Sequence, residues 1–537
     1  MDQETDIEST RGEEGRTTGG AEDTIELESA RSSLSDIFTR FPPEILGHIF
    51  VWAITRERDD SPFADTRFDG LERGSHNFLF VCGLWFEVAK RTPELWRSWG
   101  NTLRDWKKLC RFNRSVPVDL VLDQRACGSE EVLNISLRGE LRDRVARDKI
   151  RRVHLKGIND LNLLGSIISS LTLKGGDFQE RCIESIILST PSIPEELLDF
   201  FARSRLPRLR CLEITGVLQK PWWDHLTSQT TRLTTLSLTL FPPSFPLSTS
   251  QLISILATNP NLQHLTLSCA SLPGDVGASR VLVPLHRLKT LSLSGEFCSI
   301  FRLLQQLDLP PTLEYTELNM EKSALEGVYR TLGPYMEGFF QRDARFQDKL
   351  DVMNTPYRRR GVCVDVVHRT GYGEETSESG RPIPSARFSV YFVDSLPEPV
   401  LKKLSLDLMA YIPRGGVNSL QMEHTFLKGS EELLVAMPKL KSLWLMNVTL
   451  SDGFLQSSPA GTHADRKLLP SLRSLILSGL TVRDDNWQPL INYLLDKAED
   501  GLVSCSVTST SEMPPEVMEK IQGLVKELEY SLERGGC

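Results

Sequence analysis

From residue 150 onward the apolar positions of this chain follow one short template. An apolar residue is followed by two others, a second apolar residue, one other, then a third. It occurs as Ile150-Val153-Leu155, Ile183-Ile186-Leu188, Leu209-Leu212-Ile214, Leu233-Leu236-Leu238, Leu262-Leu265-Leu267 and Leu288-Leu291-Leu293. It continues, imperfectly, as Leu313-Thr316-Leu318, then as Leu401-Leu404-Leu406, Leu440-Leu443-Leu445 and Leu472-Leu475-Leu477. Neighbouring copies are mostly 24 to 33 residues apart. The closing alternation has period two, so it predicts a strand that buries its apolar residues and turns the interleaved ones to the other face. The segments between copies, such as STSQLISILATNP (248–260) and GSEELLVAMPKL (429–440), open on Ser-type caps and carry helical spacing. Each unit therefore reads as one strand and one helix.

A different pattern precedes the array. Residues 1–35 are dominated by Asp, Glu, Ser, Thr and Gly, which predicts a disordered acidic tail. Apolar periodicity starts at Leu34, Ile37 and Phe38. It strengthens after Pro42-Pro43, where Ile45, Leu46, Ile49, Phe50 and Ala53 recur at helical spacing. A polar insert at 55–77 separates this helix from a second, carrying Phe80, Val81, Leu84, Trp85, Val88 and Ala89. Thr92-Pro93 ends the second helix, and PELWRSW predicts a short turn or helix. Residues 36–104 thus form a helical module, and 105–149 a linker helix and first strand that cap the array at 150–500. Residues 321–399 interrupt that array: GVCVDVVHR and ARFSVYFVD are strand-like around a Gly/Ser/Glu/Pro-rich loop, predicting a long hairpin or an edge insertion. In the closing segment 501–537, Val517, Ile521, Leu524, Val525, Leu528 and Leu532 predict an amphipathic capping helix.

P-P-E-I-L-x-x-I-F followed by V-C-x-x-W-x-x-x-A-x-x-x-P-x-L-W, over 41–96, resembles the F-box in the insert-bearing form common in fungal F-box-like proteins. It departs from the family in Phe41, where leucine is usual, and in the insert. The stretch 105–123 is also similar to the helix and strand that come after the box in that family. Over about 150–495 the template resembles the leucine-rich repeat family. Here the departure is that Val217, Phe241, Ala270, Met409, Val448 or Leu480 stands where many such repeats have Asn or Cys. The resemblance implies an α/β chain: an N-terminal helical F-box-like module, then a curved leucine-rich-repeat-like solenoid with parallel strands inside and helices outside. It implies docking to a Skp-family adaptor of an SCF-type cullin-RING ubiquitin ligase, and through it to a cullin, while the array holds a protein substrate. The adaptor-binding residues it implies are Phe41, Pro42, Pro43, Glu44, Ile45, Leu46, Ile49, Phe50, Val81, Cys82, Trp85, Pro93, Leu95 and Trp96. The alternative is a ligase-independent scaffold or receptor, in which the helical module only covers the first open edge of the array.

Composition narrows the function classes. The chain has 537 residues, 40% hydrophobic and 25% charged, which is enough for more than one core. Its net charge of −9 argues against a nucleic-acid partner. Ten cysteines contain no C-x-x-C pair, so the expectation is a reduced cytoplasmic and/or nuclear protein without a metal site. The acidic N-terminal stretch has no apolar core of a signal peptide, and no apolar run has membrane-spanning length. None of the phosphate-loop, zinc-protease, nucleophile-elbow or dinucleotide motifs is present, and the nine histidines stand singly. No enzyme and no cofactor are expected. Cys82 reads as a packing thiol. Tyr357-Arg358-Arg359-Arg360 reads either as a solvated basic run or as a receiver of acidic or phosphorylated segments.

The residues interleaved between strand leucines are the candidates for substrate contact. Glu213, Thr215, Ser237, Thr239, Thr266, Ser268, Ser292, Ser294, Ser405, Asp407, Trp444, Met446, Ile476 and Ser478 hold these positions. Thr239, Thr266, Ser268, Ser292, Ser294, Trp444 and Met446 are the ones taken as substrate-binding. Trp444, Met446 and Ile476 form an apolar patch with two readings: a partner hot spot, or a surface covered by the 517–532 helix.

Overall fold

The computed structural model describes residues 41–59, 82–96, 117–123, 150–158, 162, 164–165, 167–168, 182–193, 196–197, 200–201, 206–218, 232–241, 247–269, 282–311, 313–321, 325–342, 346, 350–357, 361–368, 386–393, 398–427, 432–450 and 469–533. The acidic tail at 1–35, most of the 55–77 insert and the linker helix expected after residue 105 lie outside the described residues. The chain divides into two compact units, Met1–Asp119 and Leu120–Cys537.

In the first unit, helix α1 (Pro43–Asp59) starts on a proline, whose missing N–H costs nothing in a first turn. It continues through Asp59, so the first residues of the expected polar insert are helical. Helix α2 (Gly83–Arg91) stops at Thr92, whose hydroxyl donates to the Val88 carbonyl (2.8 Å), and a 3₁₀ turn, Pro93–Trp96, comes next. Gly47 lets the two helices meet: a Cβ there would lie 2.8 Å from Thr92 Oγ1. Among the described residues, Leu46, Phe50, Val88, Ala89 and Leu95 are buried in this unit's helices and 3₁₀ turn.

The second unit is mixed α/β, built on one large, mostly parallel sheet. After β1 (Val118–Asp123) come β2 (Ile150–Lys156), β3 (Ser185–Ile193), β4 (Cys211–Leu218), β5 (Thr235–Leu240), β6 (His264–Cys269), β8 (Thr290–Glu296) and β10 (Tyr315–Glu321). From β2 to β10 these pair in parallel, each with the next. Two-residue strands β7 (Val283–Pro284) and β9 (Leu307–Asp308) pair separately. The apolar template residues are buried in every one of these units, each contributing roughly 1.5–3 kcal/mol of transfer free energy. The turn before each strand is the same at five places: the first template leucine donates to the carbonyl three residues earlier, as Leu209 to Leu206, Leu262 to Asn259, Leu288 to Leu285, Leu440 to Met437 and Leu472 to Leu469. Helix α3 (Thr249–Thr258) opens on the expected Ser cap, a reciprocal pair in which Ser248 and Gln251 each accept from the other's backbone N–H. At its far end the buried Asn259 side chain accepts from Leu233 N (2.9 Å) and donates to the Ile255 carbonyl (2.8 Å). An asparagine thus does link neighbouring units here, from the helix end rather than from the missing Asn position.

Of the two readings of 321–399, the long hairpin holds, since β12 (Gly361–His368) and β13 (Ala386–Val393) pair antiparallel, and the edge position does not. After helices α4 (Phe297–Leu304) and α5 (Leu325–Arg342), the segment supplies three strands to the interior of the sheet: β11 (Leu350–Tyr357), β12 and β13. Strand β13 pairs in parallel with β10, β12 lies antiparallel between β13 and β11, and β11 pairs in parallel with β14 (Val417–Glu423). Helix α5 is seated on this block by an aromatic cluster: Phe339 and Phe340 lie 4.8 and 5.1 Å, centroid to centroid, from Phe388 of β13. The loop between β12 and β13 and the run Arg358–Arg360 lie outside the described residues.

Two further expectations are corrected. Leu401-Leu404-Leu406 is not a strand but part of helix α6 (Glu398–Ala410), where Leu404, Leu408 and Met409 are buried at helical spacing and Leu406 is only half-buried. Pro399 in its first turn explains the switch. The real strand of that unit is β14, with Val417-Leu420-Met422 in the template positions. After short helices α7 (His424–Leu427) and α8 (Glu432–Val435), parallel pairing resumes through β15 (Ser442–Met446), β17 (Ser474–Val482) and β18 (Ser504–Ser509) to β19 (Glu527–Leu532), with β16 (Thr449–Leu450) beside β17. The expected 517–532 helix is thus two elements. Helix α10 (Pro515–Leu524) packs with α9 (Gln488–Glu499), and Leu528 and Leu532 belong to β19, because E-L-E-Y-S-L alternates with period two.

Thr316 occupies a leucine position of β10, fully buried, and its hydroxyl has no hydrogen-bond partner among the described residues. Thr316→Val keeps the shape and removes an unsatisfied donor, so it should stabilise the protein by about 1 kcal/mol. Thermal unfolding checks this; a lowered midpoint would mean that the hydroxyl is bonded.

Candidate interaction surfaces

Helix α1 divides its apolar residues between two adjacent stripes. Leu46 and Phe50 face inward, where Phe50 meets Trp85 at 4.9 Å between ring centroids. Ile45 and Ile49, one turn apart, are 45% and 42% exposed, and Phe41 stands exposed one turn earlier. Pro42, Pro43 and Glu44 are also exposed, and α2 adds Leu84 and Phe86. The expected adaptor-binding set is therefore mixed. Phe41, Pro42, Pro43, Glu44, Ile45 and Ile49 are available for contact, Trp85 and Pro93 are half-buried, and Leu46, Phe50 and Leu95 are packing residues. Cys82 is exposed at the N-cap of α2, which corrects its reading as a packing thiol. Val81 and the Trp96 side chain lie outside the described residues. Leu84 and Phe86 were missed because helical spacing from Phe80 placed them with the buried stripe or between stripes.

In the second unit the leucine face of the sheet is buried, and the interleaved residues form the open face. Strand register aligns their central positions in one row. It runs from His154, Ile187, Glu213, Ser237, Thr266 and Ser292 to Glu317, then across the inserted strands at Ser389, Asp365 and Met353. It ends through Gln421, Trp444, Ile476, Ser506 and Glu529. Thr239, Thr266, Ser268, Ser292 and Ser294 lie on this face as expected. Ser405 and Asp407 do not, because they sit on α6.

Where the inserted strands meet β10, the open face carries a charged network that sequence reasoning missed. Asp365, 1% exposed, takes two hydrogen bonds from Arg387 (Nη2 to Oδ2, 2.6 Å; Nε to Oδ1, 3.0 Å) and one from Ser389 Oγ (2.9 Å). The Arg387 guanidinium lies 5.9 Å from the centre of the Tyr315 ring. The Tyr315 hydroxyl and Ser292 Oγ both donate to Glu317 Oε2, at 3.1 and 3.2 Å. Burial, helped by the nearby acids, pushes the Tyr391 hydroxyl and the Cys363 thiol up to about 12. These groups stay protonated at neutral pH and serve as hydrogen-bonding surface rather than as nucleophiles. The same holds for Cys211, raised to about 12 by burial and then Glu213. The D-x-V and R-F-S-V-Y alternations carried the signal, but reading the segment as an edge hid their neighbours.

Toward the C-terminal end, Trp444 is 37% exposed, its indole N–H donating to Ser478 Oγ (2.8 Å), with Met353, also 37% exposed, on the same row. Met446 and Ile476 are half-buried. Helix α10 packs on α9, and Trp444 remains open, so the reading in which the C-terminal helix covers the patch is overturned.

At the other end, His154 Nε2 lies 3.2 Å from Ser185 Oγ, and burial, with Arg152 beside it, lowers its pKa to about 4. The neutral ring is the folded form. An unfolded imidazole takes its proton near 6.5, so this group's contribution is intact above that pH and is lost as pH falls toward 4. The loss is at most about 3 kcal/mol by linkage, less for the solvent that the ring still sees. His154→Gln should flatten the fall in melting temperature between pH 6.5 and 4; an unchanged profile would show that the ring is protonated in the fold.

Among the described residues no group of three or more His, Cys, Asp or Glu side chains is placed to hold a metal, and no helix is long and apolar enough to cross a membrane. No family model matches the chain, and no curated protein matches it.

Proposed function

We propose that this chain is the substrate-recognition subunit of an SCF-type cullin-RING ubiquitin ligase. The first unit is an F-box-like module that docks a Skp-family adaptor. The second is a leucine-rich-repeat-like solenoid whose open, concave face holds a protein substrate. The observation that carries this reading is the outward stripe of Ile45 and Ile49 on α1, with Phe41 exposed just before it, set beside the inward pair Leu46 and Phe50. A short helix that buries one apolar stripe and leaves the adjacent one exposed is built to enter a partner's groove. The F-box resemblance lies on the same residues. The repeat register supports the second half of the reading, because it lines up one continuous row of side chains across the sheet, as a surface for an extended partner requires.

Co-purification of the full chain with a Skp-family adaptor and cullin tests the proposal directly. A stable complex is expected. A chain that captures protein partners through the sheet unit but never binds the adaptor would instead be a ligase-independent scaffold.

A further inference from the structure

The open face changes character from β11 onward. On β11, β14, β15, β17, β18 and β19 its interleaved positions include no Lys or Arg, while Asp351, Glu423, Glu527 and Glu529 are carboxylates. Of the cations just before these strands, Arg473 is turned onto the carbonyls of Asp500 and Gly501, while Lys441 and Lys526 stand exposed ahead of β15 and β19. Between the acids lies the apolar strip of Met353, Trp444 and Ile476. Its tryptophan is pinned by Ser478, so the ring is presented in one orientation. Glu423 supplies an independent sign. Its Oε1 accepts from Asn447 Nδ2 (3.0 Å), whereas its Oε2 is buried without a hydrogen-bond partner among the described residues. A shielded carboxylate oxygen without a donor is costly unless a partner supplies one.

We propose that this end of the open face binds an extended basic segment of a protein partner. An apolar side chain of that segment seats on Trp444 and Ile476, and Lys or Arg on either side reach Glu423 and the Glu527–Glu529 edge. Five strand spacings separate Met353 from Glu529, roughly 24 Å, the span of about seven extended residues. An indole face beside carboxylates also suits a guanidinium or ammonium, which gains from the ring as well as from the charge. The inference rests on the sheet unit being the substrate-holding part of the proposed ligase subunit, and it names the substrate class.

The test is fluorescence anisotropy of the full chain with a labelled nonapeptide, in which Lys-Arg pairs flank a central leucine. A Glu-Asp counterpart and a version with serine at the centre serve as comparison peptides. The basic peptide should bind, the acidic one should not, and serine at the centre should weaken binding. Trp444→Ala, and separately the triple change Glu423→Gln, Glu527→Gln, Glu529→Gln, should each weaken binding at least tenfold. Glu512→Gln, Glu516→Gln, Glu519→Gln removes the same charge from exposed positions off this face and should leave it unchanged. No binding of the basic peptide, equal binding of the acidic one, or equal loss in the two triple variants would each overturn the proposal. Circular dichroism confirms that each variant is folded. Adaptor binding is read separately. A chain that binds the peptide but not the adaptor keeps this site and loses the ligase reading, and the converse result does the opposite.

Discussion

Changing Ile45 and Ile49 together to aspartate should reduce adaptor binding at least a hundredfold while leaving the helical unit folded. Both side chains are nearly half exposed on α1, so carboxylates there remain hydrated in the free protein and become buried charges only in the complex. Truncation of a central apolar anchor typically costs ~2 kcal/mol or more, and placing a charge in its socket adds desolvation to that loss. Leu46→Ala is the contrasting variant. Leu46 is 1% exposed, so its truncation opens a cavity at a cost of about 2–5 kcal/mol, a large share of what a unit this small can hold. It should lower helicity as well as binding. Trp85→Ala belongs with Leu46, since the Trp85 ring packs, tilted, against the buried Phe50. Pull-down with purified adaptor, alongside far-ultraviolet circular dichroism, separates contact from packing. Undiminished binding by the Ile45/Ile49 double variant would remove the basis for F-box docking.

Asp365→Ala should destabilise the sheet unit by about 3 kcal/mol. The substitution leaves Arg387 over the Tyr315 ring without its counter-charge and removes the acceptor of Ser389 Oγ. Breaking a buried pair from one side typically costs ~3–5 kcal/mol. The lower end applies because the Arg387 side chain keeps 34% of its exposure, and water can take over part of the pairing. Arg387→Met alone strands the fully buried carboxylate and should cost a similar amount. The double variant Asp365→Ala/Arg387→Met should recover part of the loss, since neither charge is then left behind. Denaturant unfolding of the four proteins gives the coupling energy. Strict additivity would mean that the two residues do not act as a pair.

Much of the sheet was legible because its signal is local. Leu236 and Leu238, or Leu443 and Leu445, announce a strand and its buried face without reference to anything distant. Units whose template residues are not leucine were passed over for the same reason. Leu502-Cys505-Val507 and Val525-Leu528-Tyr530 are buried or half-buried in the same phase, but a thiol, a valine and a tyrosine do not register as a leucine repeat. Leu401-Leu404-Leu406 failed in the opposite direction, since the spacing of three from Leu401 to Leu404 also fits a helix face, which continues at Leu408 and leaves Leu406 off it, and Pro399 decided it. The site obeyed the same rule. The row from Thr239 to Ser294 came from counting along strands. The Asp365–Arg387–Ser389 network came from a pairing of distant strands that no local pattern records. On α1, residue type could not separate Ile45 from Leu46. The angle of each position around the helix did so, and that depends on where α2 packs.

The order of the inserted strands has a consequence for how the chain is made. In space β13 lies next to β10, yet along the chain α5, β11 and β12 come between them. As the polypeptide leaves the ribosome, β10 presents an unpaired edge until β13 appears about 65 residues later, a wait of roughly 3–13 s at ~5–20 residues per second. The earlier strands are spared this delay, since each finds its partner within the next unit or so. Synthesis is thus divided at one point: the strands up to β10 can zip up as they emerge, then stall with a bare edge. The rest cannot join them until the whole three-strand cassette has been delivered. An unpaired edge is the feature through which sheets join wrongly to other chains, so the danger of misassembly is concentrated in that interval.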